Sequence, residues 1–491
     1  MSRSLASSDR VAIRKSFPRR TLPAVVLSLV VLGGCSVGPK YVKPTMEIPA
    51  AYKENGNWKP AQPSDATQKG KWWEIFQDPQ LNALEEKIEV SNQTLRAAVD
   101  RYQEARDVLR QSRSALYPLV TAGVTPTENR QSEHRSLRGG TSPTYYSDLV
   151  LSGDVSYEAD VWGAVRKSVS SSRALAQASA ADMETIRLSL HAQLALDYLT
   201  LCGLDAQKRL FDANVAAFEK ALQLTEERFR GGVASREDVD LAATQLEQTR
   251  AEDIDITSAR DQFEHAVAVL VGKPASEFRL GEAQLPATPP TPPPGLPSEL
   301  LERRPDIAEA ERRVASANEQ VGIARAAFFP TITLGILGGF ESGKFPNWLT
   351  GPSALWSIGG SAAETVFDAG RRRAVSDEAI NTYDEMIANY QQAVLISFEQ
   401  VEDSLSDLRV LEEEAKTQDA AVAAANRALE QSTNRYKGGL DTYLTVITAQ
   451  NAALSNERTA VTLLTRRLTS TVLLVKALGG GWDVSKLPAV D

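Results

Sequence analysis

An internal repeat constrains the fold of this chain more than any other feature. Residues 160–272 reappear in outline at residues 367–479, displaced by 207 positions (367 minus 160) without a gap. The recurring positions are mainly glycines and arginines, so that Gly163, Arg166, Arg228, Gly231 and Gly232 return as Gly370, Arg373, Arg435, Gly438 and Gly439. Two copies of one supersecondary unit predict a pseudo-symmetric body, and they make architecture the first question to ask of the chain.

The first 34 residues have the features of a secretory signal. Basic residues precede an apolar run from Leu22 to Leu32, which ends in Leu32-Gly33-Gly34-Cys35. A basic segment, a short apolar stretch and small residues predict a signal peptide over 1–34. The run is shorter than the roughly 20 residues that span a bilayer. The Leu-Gly-Gly-Cys sequence resembles a bacterial lipobox, so we expect Cys35 to be the first mature residue and to carry a covalent lipid.

The charge balance excludes some partners. The signal holds six of the 54 Lys and Arg residues and one of the 63 Asp and Glu residues, so the mature balance is 48 minus 62, or −14. An acidic chain of this kind argues against nucleic acid as a partner.

Motifs for catalysis or metal binding do not occur in the sequence. The three histidines have no shared spacing, Cys202 is the only cysteine besides Cys35, and no Gly-x-Ser-x-Gly or His-Glu-x-x-His sequence is present. Gly479-Gly-Gly481 is not followed by Lys and Ser or Thr, as a phosphate-binding loop would require. We therefore expect no enzyme activity, no metal and no cofactor other than the lipid.

Each half begins with a helix followed by a β-hairpin. Asp78-Pro79 starts a predicted helix that runs to about Leu116. Apolar and polar residues then alternate with a period of two, which predicts hairpins at about 117–158 and 330–366, each with one apolar and one polar face.

A very long helix follows each hairpin, over about Arg166–Phe229 and Arg373–Tyr436. At 1.5 Å per residue, 64 residues reach roughly 96 Å. The apolar seam of the first helix recurs in the second, with Leu194, Leu201, Leu204, Val215, Leu222 and Phe229 matched by Val401, Leu408, Leu411, Val422, Leu429 and Tyr436.

Both long helices end at paired glycines, which suit a left-handed helix cap. A capping box at Ser235 and Asp238, and Asp441 or Thr442 in the second copy, then start return helices to about Val271 and Leu478.

These elements divide the chain into six parts. They are a signal peptide (1–34), a lipid-anchored extended segment (35–79), repeat 1 (80–284), a Pro-rich linker (285–300), repeat 2 (301–482) and a C-terminal tail (483–491). The predicted fold class is mainly α with a membrane β portion.

The apolar strand faces predict an oligomer. The helix after each hairpin is too long to fold back over it, and a sheet that meets lipid must have its edges paired. Four strands cannot close a barrel, because outer-membrane barrels start at about eight strands. Eight strands from a dimer would be plugged by side chains. We therefore expect a homotrimer with a shared twelve-stranded barrel, continued by a coiled-coil helical barrel.

Several segments resemble the outer membrane factor family of TolC-like exit ducts, in particular its lipoprotein (NodT-like) branch that serves tripartite RND-type efflux pumps. They span nearly the whole mature chain, and they are Cys35-Ser-Val-Gly-Pro-Lys-Tyr, Trp72-Trp73-Glu-Ile-Phe-Gln-Asp78-Pro79, Leu301-Glu-Arg-Arg-Pro-Asp306-Ile, Ala327-Phe-Phe-Pro330, Phe367-Asp368-Ala-Gly370-Arg, Arg435-Tyr-Lys-Gly-Gly and Ala477-Leu-Gly-Gly-Gly-Trp482.

The resemblance implies a passive channel that carries small molecules across the periplasm and the outer membrane of a Gram-negative bacterium. Its partners would be a periplasmic adaptor, an inner-membrane RND-type pump and outer-membrane lipid. The resemblance also implies a periplasmic gate at Tyr436 and Leu444, with Asp441 nearby. Where the family often has an acid four residues past that leucine, this chain has Thr448. The adaptor-contact tips would include the paired-glycine turns, at Arg228, Gly231, Gly232, Arg435, Gly438 and Gly439.

Two alternatives stay open at this point. The same fold serves as the exit duct of type I protein or peptide secretion systems. A non-conducting periplasmic adaptor or scaffold also carries helical hairpins, although with small soluble β-domains in place of apolar-faced strands.

Overall fold

A computed structural model of the 491-residue chain describes residues 37–55, 70–134, 143–290 and 299–490. The expected signal peptide, the lipid site at Cys35 and part of the Pro-rich linker lie outside these ranges. The described part is mostly helical, with one small sheet, as expected from the sequence. No helix in these ranges combines the length and the apolar character needed to cross a membrane.

The described residues fall into two compact units. One unit contains the sheet and consists of the described residues within Met1–Lys40, Ser112–Val169 and Glu319–Ala379. The other consists of the described residues within Tyr41–Gln111, Ser170–Asn318 and Ile380–Asp491. The elements in chain order are α1 (Pro79–Ser91), α2 (Gln93–Ser114), β1 (Leu119–Arg130), β2 (Tyr145–Glu158), α3 (Ala164–Arg230), α4 (Arg236–Leu270), α5 (Leu300–Arg303), α6 (Pro305–Ala326), β3 (Thr331–Ser342), β4 (Ala354–Ala363), α7 (Arg371–Lys437) and α8 (Tyr443–Ala477).

The four strands form one antiparallel sheet in the order β1-β2-β3-β4, in which β2 pairs with β3 and joins the two hairpins. Residues paired across the sheet share a face, so the register sorts the strands into two faces. One row is apolar, with Val120, Val155, Ile336 and Ile358. The neighbouring row on the opposite face contains Thr121, Asp154, Leu337 and Ser357. On the apolar face, Val120 is 69% exposed and Trp356 is 79% exposed.

The long helices of the two halves have equal lengths. Both α3 and α7 contain 67 residues, and both α4 and α8 contain 35. At 1.5 Å per residue, the longer pair extends about 100 Å.

The predicted seam needs one correction in the distal part of α3. Phe211 and Phe218 of α3 are buried with Leu246 and Ile256 of α4, and the predicted seam residues Leu204, Val215 and Leu222 pack against the same cluster. Phe229, the last predicted member, is 40% exposed. Steps of seven residues drift by about 20° per heptad around a straight α-helix. The buried stripe therefore includes Phe211 and Phe218 beside the predicted residues and does not reach Phe229.

The first predicted helix is interrupted, so its expected continuous course to Leu116 was wrong. The Asp78 carboxylate caps α1 by accepting from the backbone N–H groups of Gln80 and Leu81, at 2.8 and 3.1 Å. Asn92 separates α1 from α2, because its Oδ1 accepts from the Leu95 N–H at 2.9 Å. Its Nδ2 donates to the Leu270 carbonyl at 2.8 Å, which fixes the end of α4.

The N-terminal segment is also less extended than expected, since it contains two 3-10 turns, Lys53–Asn55 and Trp72–Phe76. The second turn buries Trp72, Trp73 and Phe76 against α1, α3 and α4.

A buried ionisable cluster lies beside this turn. His191 Nδ1 is 2.7 Å from Glu85 Oε2, and His191 Nε2 is 3.1 Å from Glu89 Oε1. The Trp73 ring stacks on the imidazole with 4.5 Å between centroids. Burial raises the pKa of Glu85 to about 7. Burial disfavours the imidazolium of His191, but the hydrogen bonds to Glu85 and Glu89 outweigh it and raise the pKa of His191. Both groups therefore retain protons to higher pH in the folded chain.

Candidate functional site

The candidate site lies at two helix tips, where α3 and α7 reverse direction into α4 and α8. At the first tip, the Val233 N–H donates to the Arg228 carbonyl at 2.8 Å, and the Gly232 N–H donates to the Phe229 carbonyl at 2.9 Å. These two bonds form a Schellman motif, whose C′ residue needs a left-handed backbone. Gly232 supplies it, with a φ of 74°.

The second tip repeats this backbone. The Leu440 N–H donates to the Arg435 carbonyl and the Gly439 N–H donates to the Tyr436 carbonyl, both at 3.0 Å. Gly439 takes the left-handed position, with a φ of 71°. Gly231 and Gly438 are the residues just before these positions, and their φ values are not positive.

Side chains close the two turns in different ways. The predicted capping box is present at the first tip, since Ser235 Oγ accepts from the Asp238 N–H at 3.1 Å and Asp238 Oδ2 accepts from the Ser235 N–H at 2.9 Å. At the second tip, Thr442 is the N-cap residue but its side chain makes no capping bond.

Asp441 organises the second turn in its place. Its Oδ1 accepts from the Thr445 hydroxyl and from the Thr442 N–H, each at 2.9 Å, and its Oδ2 lies 3.2 Å from Arg435 Nε. The bond from Thr445, the bond from Thr442 and the nearby guanidinium hold the pKa of Asp441 below its usual range.

A cation–π contact joins the two tips. The Arg228 guanidinium lies 4.7 Å from the centroid of the Tyr436 ring. Arg228 Nη1 also donates to the Lys437 carbonyl, at 3.4 Å. The structure thus brings together a residue expected at the adaptor-contact tips and a residue expected at the gate.

Tyr436 also packs into an apolar cluster with Tyr443, Val446 and Ile447 of α8 and Ala242 of α4. The Tyr436 and Tyr443 rings are 5.1 Å apart between centroids. Burial raises the pKa of Tyr443 to about 12. The sequence analysis did not single out Tyr443 or Ala242. No local signal marked them, because the paired-glycine turn separates Tyr443 from Tyr436 and Ala242 lies on another helix.

Leu444 and Thr448 lie one turn apart at the start of α8, on an exposed face. Leu444 is 57% exposed, and the Thr448 hydroxyl donates to the Leu444 carbonyl at 2.9 Å. The second tip therefore combines a buried aromatic side with an apolar side chain directed away from its own chain. That arrangement is able to hold the turn rigid while Leu444 packs against another surface.

The chain matches a known family along most of its length. The sequence model described as outer membrane efflux protein matches residues 84–273 and 296–480. Pyoverdine export outer membrane protein OpmQ of Pseudomonas aeruginosa is 31% identical over 466 residues, which cover 94% of this chain and 97% of that protein. Toluene efflux pump outer membrane protein TtgF of Pseudomonas putida is 32% identical over 468 residues, with 92% and 95% covered.

Solved structures share the fold. The outer-membrane channel OprN superposes with a TM-score of 0.85 and 29% identity, covering 91% of this chain and 100% of that one. The open state of the Neisseria gonorrhoeae MtrE outer membrane channel gives a TM-score of 0.77 and 26% identity, covering 92% and 99%.

Proposed function

The chain belongs to the outer membrane efflux protein family and is the outer-membrane exit duct of an efflux pump; from that premise we propose that it works as a lipid-anchored homotrimer. Its place is the outer membrane of a Gram-negative bacterium, extending into the periplasm. The family consists of channels, which confirms the expectation that the chain is not an enzyme.

The exposed apolar face of the sheet carries the proposal of a trimer. Ile358 is 67% exposed and Trp356 is 79% exposed on this face. Within the described residues, β1 and β4 each pair along one edge only. Lipid would satisfy the apolar face, but the open edges need partners because unpaired backbone is costly in hydrocarbon. Three copies supply twelve strands, which is enough to close a barrel around a polar bore.

We assign the remaining architecture to two tandem repeats. The equal lengths of α3 and α7, and of α4 and α8, support a pseudo-symmetric helical barrel below the membrane. Residues 80–284 and 301–482 are the two repeats in this proposal, joined by the Pro-rich linker 285–300. The segment 35–79 ties the body to the lipid on Cys35, and residues 483–491 form the tail.

The second tip is the gate in this proposal. The exposed Leu444 side chains of three copies close the bore by packing together, and Asp441 and Tyr436 hold the turn that presents them. Thr448 lies on the same face one turn further from the tip. Opening then requires α4 and α8 to move outward under the action of the partners.

The paired-glycine turns are the contact surface for a periplasmic adaptor. Each turn is a short loop with an arginine before its two glycines. The contact residues are Arg228, Gly231 and Gly232 at the first tip and Arg435, Gly438 and Gly439 at the second. An inner-membrane RND-type pump supplies the cargo. Relatives are named for pyoverdine export and for toluene efflux, so we propose small molecules or drugs as the cargo class without choosing one.

Planar-bilayer recording with chemical cross-linking tests the proposal. The matured, detergent-extracted protein should cross-link as a trimer and insert as a stable pore. Leu444→Ala should raise the conductance because it removes the packing that closes the tip. Leu440→Ala is the matched control, since Leu440 is also exposed but lies in the turn itself. A monomeric protein without conductance would contradict the duct, and unchanged conductance of Leu444→Ala would contradict the gate.

A further inference from the structure

The N-terminal segment is attached to the helical unit at two separate places. Tyr52 is buried in an apolar cluster with residues of α5, α7 and α8, and the N–H groups of Lys53 and Glu54 donate to the Glu402 carboxylate at 2.7 and 2.9 Å. Further along the chain, the Trp72–Phe76 turn is buried against α1, α3 and α4. The first attachment is to the second half of the chain and the other is to the first half, so the segment bridges the two halves only while the turn stays in place.

The turn rests on the buried imidazole of His191 in α3. The Trp73 ring stacks on this imidazole, with 4.5 Å between centroids and 19° between the ring planes. Glu85 and Glu89 of α1 flank the imidazole, one at each ring nitrogen, at 2.7 and 3.1 Å. His191 is buried, and so is Glu85. The imidazole therefore joins α3 to α1 and supports the turn from below.

The two contacts of the imidazole need two protons. An ionised carboxylate only accepts hydrogen bonds, so each ring nitrogen must carry a proton or face a protonated carboxyl group. A neutral imidazole has a single N–H, and with both carboxylates ionised one of the contacts brings two acceptors together. Glu85 Oε1 adds to the cost of that state, because it is buried without a hydrogen-bond partner among the described residues. A second proton on the ring removes the conflict and strengthens the stack, because the face of an indole attracts a cation.

Other charged groups near the cluster do not replace this proton. The remaining charged side chains that line the cavity beside the cluster are Arg187 and Glu184 of α3, Glu86 of α1, and Lys71 and Lys486. Arg187 lies 2.9 Å from Glu89, and Lys71 pairs with Glu86. None of these cations pairs with Glu85 in the part of the chain that the structure describes, where His191 is its ionisable partner.

We propose that His191, Glu85 and Glu89 form a proton-dependent latch, which holds the Trp72–Phe76 turn on α1 and α3 in acidic solution and releases it in alkaline solution. The contacts lie within one chain, so the inference does not depend on the proposed trimer or gate. Release frees the segment from the first half of the body, while Tyr52 keeps it on the second half. The latch therefore makes the attachment of the lipid-anchored segment respond to pH.

The pH range of release follows from the protonation of the two buried groups. Burial raises the pKa of Glu85 to about 7. Burial opposes the charge of His191, but the hydrogen bonds to both carboxylates raise its pKa. A group whose pKa is raised by folding stabilises the fold below its unfolded pKa, and this contribution is lost as pH rises through the folded pKa. The imidazolium alone supplies both protons, so release follows deprotonation of His191, above its unfolded pKa of about 6.5.

Hydrogen exchange of the turn amides tests the latch in the full-length, matured protein. The N–H groups of Trp72, Glu74 and Gln77 donate to nearby carbonyls at 3.0 to 3.1 Å, so their protection reports whether the turn is formed. Between about pH 6 and about pH 9, this protection, corrected for the intrinsic exchange rate, should fall roughly tenfold or more, because a hydrogen bond to a charged group is lost. The amides at 236–243, at the first helix tip, serve as a reference and should keep their protection.

Two variants should remove the pH response in opposite directions. In Glu85→Gln the amide donates to His191 Nδ1 while the neutral ring donates from Nε2 to Glu89, so both contacts persist and protection should stay high over the whole range. His191→Gln lacks the titrating ring and should give low protection at every pH. His265→Gln is the matched control, since His265 is exposed on α4, and it should retain the wild-type profile.

Three results would overturn the inference. Wild-type protection of the turn that does not fall with rising pH would show that no latch exists. A fall shared by the reference amides would show global unfolding in place of local release. A wild-type pH profile in Glu85→Gln would show that another group controls the turn, and this variant decides the assignment even if His191→Gln does not fold.

Discussion

The two helix tips share a backbone and differ in almost every side chain that surrounds it. Both turns are Schellman motifs with a left-handed glycine, and they are related by the same displacement of 207 residues. At that displacement, Phe229 is replaced by Tyr436, Ala234 by Asp441, Arg236 by Tyr443 and Glu237 by Leu444. The first tip is polar and closes itself with a capping box, whereas the second is aromatic and packs against its neighbour.

This difference shows what the repeat preserves and what it leaves free. Each helix ends at one left-handed glycine, because that backbone conformation is costly for residues that carry a Cβ. The side chains around the two turns are not restricted by backbone conformation in this way. Only the second tip buries its aromatic ring. Tyr436 is 6% exposed, whereas its counterpart Phe229 is 40% exposed. In the proposed gate, the buried Tyr436 ring anchors the turn that presents Leu444, and Phe229 offers no such anchor at the first tip.

Removal of the aromatic rings of Tyr436 and Phe229 should give the largest difference in local stability between the two tips. Tyr436→Ala should lower the local stability of the second tip by about 3 kcal/mol, as buried aromatic truncations do. Phe229→Ala should cost less than about 1 kcal/mol, because its ring is partly in solvent. Hydrogen exchange of the amides at 443–450 measures the first effect and that at 236–243 the second. Equal losses of protection would show that the two rings stabilise their tips equally, which would contradict the difference drawn from their burial.

Substitution of the two left-handed glycines should give equal effects. An added Cβ at Gly232 or Gly439 meets no atom within 4 Å, so only the backbone conformation opposes alanine. Each Gly→Ala change should therefore cost about 1 to 2 kcal/mol. Gly→Asn should cost less at both positions, because asparagine tolerates this conformation better. Exchange of the turn amides is the readout, and a clear difference between the tips would mean that side chains also shape the backbone.

Much of this architecture could be predicted from the sequence, because the repeat and the two periodicities are local signals. Paired glycines marked both tips, and alternation marked all four strands. The sequence did not reveal that Phe211 and Phe218 complete the buried stripe of α3 while Phe229 leaves it, since contact with α4 decides both. The interruption at Asn92 was also missed, because one side chain must bond both Leu95 and Leu270 for the break to be stable.

The sequence predicted where the candidate site lies, but it did not predict which side chains contact each other there. Sequence reasoning named Arg228 and Tyr436 for separate roles, 208 residues apart. Their cation–π contact depends on how α3 and α7 lie side by side, and no local pattern encodes that. Asp441 and Thr442 were both candidates for the N-cap. Thr442 occupies that position, but Asp441 makes the side-chain bonds, because the turn brings Thr445 within its reach.

A double-mutant cycle should detect the contact between the tips. Arg228→Ala combined with Tyr436→Ala should show a coupling free energy of about 0.5 to 1 kcal/mol, because the Tyr436 ring is buried but the Arg228 side chain is still partly in solvent. The pair at the equivalent positions, Arg435→Ala and Phe229→Ala, should show none, since the described residues contain no such contact between them. Hydrogen exchange at the second tip supplies the free energies of the wild type and the six variants. A coupling free energy near zero for Arg228 and Tyr436 would show that their contact does not stabilise the second tip.

Acidification should produce the smallest difference, and it should affect only the second tip. The pKa of Asp441 is lowered in the folded turn, so its contribution is present above the unfolded value of about 3.9 and is lost as pH falls through the folded pKa. Glu85 and His191 have the opposite sign because their pKa values are raised: the contribution of Glu85 falls as pH rises from about 4.5 to about 7, and that of His191 falls above about 6.5. A global melting curve therefore mixes both effects, and a local readout is required. Exchange of the amides at 438–445 should lose protection below pH 4 in the wild type and lose this pH dependence in Asp441→Asn. Asp238→Asn, the matched change at the first tip, should leave the profile of the second tip intact; if it altered that profile, the two turns would be coupled in a way that their separate hydrogen bonds do not explain.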